Sequence, residues 1–313
     1  MIFTFKSIQS TQLEKSEMIK RILDISKPSY LHLKNKQLLI DHEGKTVGHV
    51  PVEDLGILLL EHPAIVITQG VILACQKNNV VLVFCDERHL PYSILLPLCE
   101  GNSLHSKVLK QQINISEPTK KQIWKNIVQQ KIRQQALTLK TTGKDYHELV
   151  RMAAKVKSGD TENMEAQAAR KYWPLLMGKG FVRDFEADGV NALLNYGYSI
   201  IRAMIARAIV GTGLHPALGL FHRNQYNGLA LADDLMEPFR PWVDRIVYGI
   251  FQANPKTIID KETKRELLEL LAKEVLWEKR KIPFMVVSHL LAAKLKQAHQ
   301  KPTLNLTWPE WIN

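Results

Sequence analysis

Hydrophobic and polar positions change rhythm near residue 100. Before it, apolar residues come in short runs broken by turn formers; after it they recur at helical spacing almost to the end. Tyr30-Leu31-His32-Leu33 and Gln37-Leu38-Leu39-Ile40 flank Lys34-Asn35-Lys36, a polar break suited to a hairpin. Asp41-His42-Glu43-Gly44 supplies a second turn, and Lys45 to Val50 a third short strand. Gly56-Ile57-Leu58-Leu59-Leu60 is continuously apolar, as expected of a strand covered on both faces. Thr68 to Lys77 predicts a short helix with Thr68 as N-cap and Asn78-Asn79 at its end. Val80 to Cys85, rich in β-branched residues, predicts a second buried strand.

Glu100-Gly101-Asn102-Ser103 is a turn-rich linker. Beyond it, Glu117-Pro118 separates two early helices. Asn191 to Ile209 is the clearest long helix, with Val190, Leu193, Leu194, Ile200, Ile201, Met204 and Ile205 as its buried face. Pro283 opens a helical run to His299. The tail, Pro302 to Asn313, carries Trp308 and Trp311 without a clear period and reads equally as a docking segment or a packed terminal turn. The pattern predicts an α+β chain: a small N-terminal mixed β domain over residues 18–100, then a larger all-α C-terminal domain over 105–313, with residues 1–17 as an extension.

Charge adds a partner class. The 313 residues hold 42 Lys+Arg against 31 Asp+Glu, a net of +11 with pI near 9.4, which argues for a polyanion, nucleic acid first. From Lys107 to Lys157 there are twelve basic and three acidic residues, a net of +9, so one segment holds most of the excess. Seven glutamines are interleaved, among them Gln112, Gln134 and Gln135. Such a surface suits phosphate contacts indifferent to base sequence. A solvated helix pair is the ordinary alternative, and the concentration of charge favours DNA. Three cysteines without a CxxC pair argue against a disulfide framework or structural zinc. No apolar run is long enough for a membrane span, and the N-terminus lacks secretory features, so the expected place is the cytoplasm.

Three clusters in the helical half bear chemistry. Glu165 sits in Met164-Glu165-Ala166-Gln167-Ala168-Ala169, whose small neighbours leave room for a ligand; a lone Glu on a helix is more often plain surface. His215 and His222 flank a Gly/Pro-rich turn that can present an imidazole to a cleft, although a single His is more often a satisfied, half-buried residue. Asp234-Leu235-Met236-Glu237-Pro238-Phe239-Arg240-Pro241 places two acids three apart at a bent helix start. They form either a metal pair or an acidic first turn that stabilises a helix dipole. One His with two or three carboxylates suits Mn²⁺ or Mg²⁺ better than zinc. Asn191, Asn195, Tyr198 and Arg202 form a polar stripe that either lines the site or satisfies internal polar groups.

Several ordered segments carry a resemblance. Tyr30 to Leu38, Val52-Glu53-Asp54-Leu55-Gly56, Phe84 to Pro91, Glu165 to Trp173, Leu214 to His222 and Asp234 to Pro241 resemble the CRISPR-associated adaptation integrases. The likeness is strongest to the form found beside single-protein RNA-guided effectors (type II). The resemblance implies a β domain that dimerises and a helical catalytic, DNA-binding domain. It implies a metal site made of Glu165, His222 and Glu237, with Asp234 as an auxiliary acid near a Mg²⁺ or Mn²⁺ ion. The implied activity is insertion of short foreign-DNA fragments into a CRISPR array by 3′-hydroxyl attack at the leader–repeat phosphodiester. Implied partners are double-stranded DNA, a second copy of the chain, a small second adaptation protein in a hetero-hexamer, and the RNA-guided effector nuclease. A repair nuclease acting on branched DNA and a non-catalytic nucleic-acid-binding subunit are the rival functions.

Overall fold

A computed structural model describes residues 20–98, 101–300 and 306–312; the extension 1–17 and Cys99 lie outside the described residues. The chain opens with β1 (Arg21–Ile25), β2 (Tyr30–Lys34), β3 (Gln37–His42) and β4 (Lys45–Pro51). Asn35 and Lys36 both adopt positive φ, and Lys34 pairs with Gln37. The β2–β3 turn therefore has two residues rather than three, in the geometry that matches strand twist. Strands β5 (Leu55–Leu60) and β6 (Val66–Ile67), helix α1 (Gln69–Lys77), and strands β7 (Val81–Cys85) and β8 (Pro91–Leu95) complete the region.

These strands form two four-stranded sheets, ordered β1-β5-β7-β8 and β4-β3-β2-β6. In the first, β1, β5 and β7 run parallel and β8 antiparallel. The unbroken apolar runs in β5 and β7 now have a cause. Ile57, Leu59, Val81 and Val83 face the helical core, whereas Leu55, Leu58, Leu60 and Leu82 pack with Leu31, Ile40, Val71 and Cys75. A sheet covered on both faces needs apolar residues at every position.

The helical region holds α2 (His105–Ile113), α3 (Glu117–Thr141), α4 (His147–Lys155), α5 (Met164–Met177), α6 (Val190–Gly211), α7 (Ala230–Met236), α8 (Arg240–Ala253), α9 (Lys261–Ala272) and α10 (Phe284–Gln300). Ser116 caps α3 and Pro118 stands in its first turn. Helix α6 is buried nearly all round, from Asn191 and Leu193 to Ile209 and Val210. It is the central helix of the domain rather than one with a single apolar face. The region is also not purely helical. Strands β9 (Glu274–Trp277) and β10 (Arg280–Pro283) form a hairpin, and β11 (Glu310–Trp311) pairs with β9. The described part of the tail, residues 306–312, is therefore packed: Trp308 donates to Asn126 at 2.7 Å and Trp311 lies edge-on to Trp242. No helix among the described residues is long and apolar enough to cross a membrane.

Two buried polar ties join the sheets to the helices. Arg207 on α6 donates to the Asn79 carbonyl at 2.6 Å. Lys264 on α9 reaches Glu61, just after β5, with its ammonium 3.0 Å from both carboxylate oxygens.

Candidate active site

Glu165 is fixed by the start of its helix. Asp160 accepts hydrogen bonds from the amides of Met164 (2.8 Å) and Glu165 (3.1 Å), capping the first turn of α5. Glu237 stands where α7 gives way to a 3₁₀ turn, Glu237–Phe239, that leads through Pro238 and Pro241 into α8. The two acids come together on a residue that charge counting placed on the surface. Lys131, midway along α3, has its Nζ 2.5 Å from Glu165 Oε1 and 2.5 Å from Glu237 Oε2. Arg240 donates from Nε to the other Glu237 oxygen at 2.7 Å. Burial alone would raise the Glu237 carboxyl, but Arg240 and Lys131 outweigh it and hold it at about 2. Burial likewise opposes the charge on Lys131, and Glu237 and Glu165 overcome it, so its ammonium is raised above the ordinary lysine value. The Lys131 ammonium thus meets the second, buried Glu237 oxygen as well.

His222 sits in the loop between α6 and α7, and Asp234 on α7 organises it. The Asp234 carboxylate accepts the backbone amides of Leu220 (2.5 Å), Phe221 (3.1 Å) and His222 (3.2 Å), and the His222 Nδ1 at 2.6 Å. A carboxylate only accepts, so Nδ1 carries the proton and Nε2 is left to face a ligand. The Asp234 bond, against the opposing effect of burial, raises the His222 pKa above its ordinary value. Gly219 permits the wrap: a Cβ there would fall 2.5 Å from the His222 carbonyl oxygen and 3.0 Å from Asp234 Oδ2. Trp124, two turns before Lys131 on α3, stacks on Phe221 at 4.4 Å and meets His222 edge-on. Both Asp234 oxygens are thus engaged in orienting the His222 loop.

The other expected residues have packed or hydrogen-bonded partners of their own. His215 lies against His105, and Gln112 clamps its backbone from both sides. Asn191 and Asn195 bind Arg183, Tyr198 donates to Asp244, and Arg202 pairs with Asp233 at 2.6 Å, so the polar stripe satisfies internal groups. Gln112, Gln134 and Gln135 are buried rather than interleaved on the basic surface. Of the twelve basic residues, nine are exposed, while Lys120 and Lys125 are half-buried and Lys131 belongs to the acid cluster. A cleft of about 350 Å³ opens beside His222, with Lys120, Arg223, Gln112, Leu220 and His299 among its walls.

No group of three or more His, Cys, Asp or Glu side chains among the described residues gathers as a ready metal shell. The arrangement nevertheless fits a cation. Two carboxylates converge on one positive charge, and an imidazole held by a carboxylate through Nδ1 keeps its other nitrogen unprotonated.

Residues 25–276 match the family model described as CRISPR associated protein Cas1. The chain is 40% identical over 266 residues, 84% of its length and 86% of the relative's, to a CRISPR-associated endonuclease Cas1 of Neisseria meningitidis. The chain belongs to the Cas1 family. Its fold matches a casposase bound to integration product, with TM-score 0.75 at 20% identity, over 91% of this chain and 92% of that one. It also matches a chain of a Cas6-RT-Cas1–Cas2 complex, with TM-score 0.75 at 19% identity, over 96% of this chain and 38% of the longer one. A β-sheet region followed by a helical region is the fold these Cas1 neighbours share with it.

Proposed function

We propose that this Cas1-family chain is a metal-dependent DNA integrase that inserts short foreign-DNA fragments into a CRISPR array, in a type II setting. The observation that carries the reading is the convergence of Glu165 and Glu237 on one cation position, while Asp234 separately orients His222. Glu165, Glu237 and the Nε2 of His222 would hold Mg²⁺ or Mn²⁺. The bound ion would supply Lewis acidity to the phosphodiester and lower the charge on the attacking and leaving oxygens.

The protein's own groups do the rest. Asp234 keeps the His222 proton on Nδ1. Exposed Lys and Arg side chains between Lys107 and Lys157 follow the DNA backbone. Lys120 and Arg223 flank the cleft where a strand end would lie. The fragment's 3′-hydroxyl gives up its proton to water as its oxygen bonds to phosphorus at the leader–repeat junction. The bond from phosphorus to the leader's 3′-oxygen breaks, and that oxygen takes a proton from water. The working form is a homodimer that joins a small second adaptation protein as a hetero-hexamer on double-stranded DNA. It acts in a prokaryotic cytoplasm and is served by the RNA-guided effector. Neighbours drawn from Cas1–Cas2 assemblies support the partner.

The test is strand transfer. The protein and its small partner are mixed with a short 3′-hydroxyl duplex and a plasmid bearing leader and repeat, with Mn²⁺, Mg²⁺ or chelator. Joining at the leader–repeat edge that needs metal, and is lost in Glu165→Ala and His222→Ala, establishes the reading. Cutting of branched DNA without joining assigns a repair nuclease. Binding with a steep salt slope but neither reaction assigns a non-catalytic subunit.

Asp234→Asn should lower the joining rate by about 10- to 100-fold, the usual effect of removing a carboxylate that orients a ligand histidine. Asparagine would offer an N–H to Nδ1 and drive the proton to Nε2, the wrong nitrogen. Joining rates and melting curves check this; an unchanged rate in a folded variant would remove Asp234 from the site.

A further inference from the structure

Charge in the acid cluster is balanced from within. Glu165 and Glu237 bring two negative charges, and Lys131 and Arg240 bring two positive ones. The two cations hold different places. Arg240 lies three residues beyond Glu237 and binds its Oε1, so it is anchored to one acid by the local turn. Lys131 comes from a different helix and stands between the acids, equally close to Glu165 Oε1 and Glu237 Oε2. A divalent cation shared by these two carboxylates would stand at that same place.

An ammonium and a dication repel strongly at such a separation in a buried site, so the position holds one or the other. A quartet with no net charge also has little field with which to draw a dication out of water. Extra negative charge is required before the exchange favours metal, and a DNA phosphate supplies it. The lysine stem is long and flexible, and α3 carries Lys121, Lys125 and Arg133 in the basic segment. These residues lie on other faces of the helix than Lys131, and would draw a duplex to the site, where its phosphate could meet the Lys131 ammonium as it leaves the acids.

We propose that Lys131 is a resident occupant of the metal position. It holds Glu165 and Glu237 together in the metal-free protein, and surrenders the place to a divalent cation when DNA phosphate arrives to receive it. The proposal rests on the reading that Glu165 and Glu237 are metal ligands. Its consequence is that metal and DNA bind cooperatively, and that the site stays closed to metal until substrate is present. Lys131 acts as a positioning residue whose departure admits the metal.

The experiment is a Mn²⁺ titration of the full chain followed by electron paramagnetic resonance, with and without duplex DNA, subtracting the signal of DNA alone. Wild-type protein should bind Mn²⁺ about tenfold more tightly with DNA, within the usual range for linked sites. Lys131→Met should bind about tenfold more tightly than wild type without DNA and lose most of the DNA dependence. Its metal-free melting temperature should fall and recover with Mn²⁺, because metal replaces the missing charge. Wild-type affinity that ignores DNA would overturn the proposal without relying on the variant's folding, and so would a Lys131→Met affinity equal to or weaker than wild type. Glu165→Gln separates the two levels. Unchanged Mn²⁺ binding in that variant sinks the metal site itself. Lost binding there, with no gain in Lys131→Met, sinks only the role of Lys131.

Discussion

Glu237→Gln should lose DNA joining by about 10²- to 10³-fold, the scale for losing one preorganised electrostatic element of an active site. It should also cost the folded state about 3–5 kcal/mol, because one partner of a buried ionic cluster is removed. The carboxyl is held near 2 against an ordinary 4.5, and at about 1.4 kcal/mol per unit that difference is worth about 3 kcal/mol. The sign follows from the depressed value. The folded state releases this proton more readily than the unfolded chain does. The stabilisation is therefore complete above pH 4.5 and drains away as pH falls toward 2. Urea unfolding from pH 2 to 8 should show that acid limb in the wild type and a flatter curve in Glu237→Gln. Joining assays at pH 7.5, run where both proteins are folded, separate catalysis from stability. A variant that loses stability but joins DNA normally would make Glu237 a structural residue only.

The sheets and the long helices were readable from local pattern because each signal lies within a few residues. The absence of alternation around Ile57, Leu59, Val81 and Val83 already implies strands covered on both faces, and the structure shows that the helical region is one of the covers. The small sheet was not foreseen, since β9 finds β11 more than thirty residues away and neither is long enough to carry a period. At the site, Glu165, His222 and Glu237 were singled out by their segments, and the structure brings the two acids together. Net charge does not distinguish Lys131 from the solvated lysines around it. The signal was present: Trp124, Ile127, Val128, Lys131, Gln134, Gln135 and Thr138 fall on one stripe of α3, and a lysine on a buried stripe needs a carboxylate partner. The same stripe explains why Gln134 and Gln135 are buried, with Gln134 accepting from Trp242 at 2.9 Å.

Lys264→Met should destabilise the chain by about 3–5 kcal/mol at neutral pH, since Glu61 would keep a buried charge with its partner gone. The surroundings sharpen the expectation. Asp24 on β1 lies in the same buried group, with one carboxylate oxygen lacking any hydrogen-bond partner. Burial, and then the Glu61 charge, push its carboxyl up to about 7, with Lys264 and Lys261 opposing. For an acid raised in the folded state the sign reverses from that of Glu237. The folded protein keeps a proton that the unfolded chain has released, so stability falls as pH rises from 3.8 to about 7. Without Lys264 nothing nearby offsets the two acids as well, and the loss should deepen with pH. Asp24→Asn removes the ionisation altogether. It should stabilise the protein at pH 8 by up to about 4 kcal/mol and flatten the slope between pH 4 and 7. Introduced into Lys264→Met, it should recover part of the lost stability. Urea midpoints of the two single variants and the double variant at pH 5 and pH 8 decide it. Equal losses at both pH values in Lys264→Met, or no gain from Asp24→Asn at pH 8, would show that Asp24 ionises without penalty. The tie between sheet and helices would then rest on the Glu61–Lys264 pair alone.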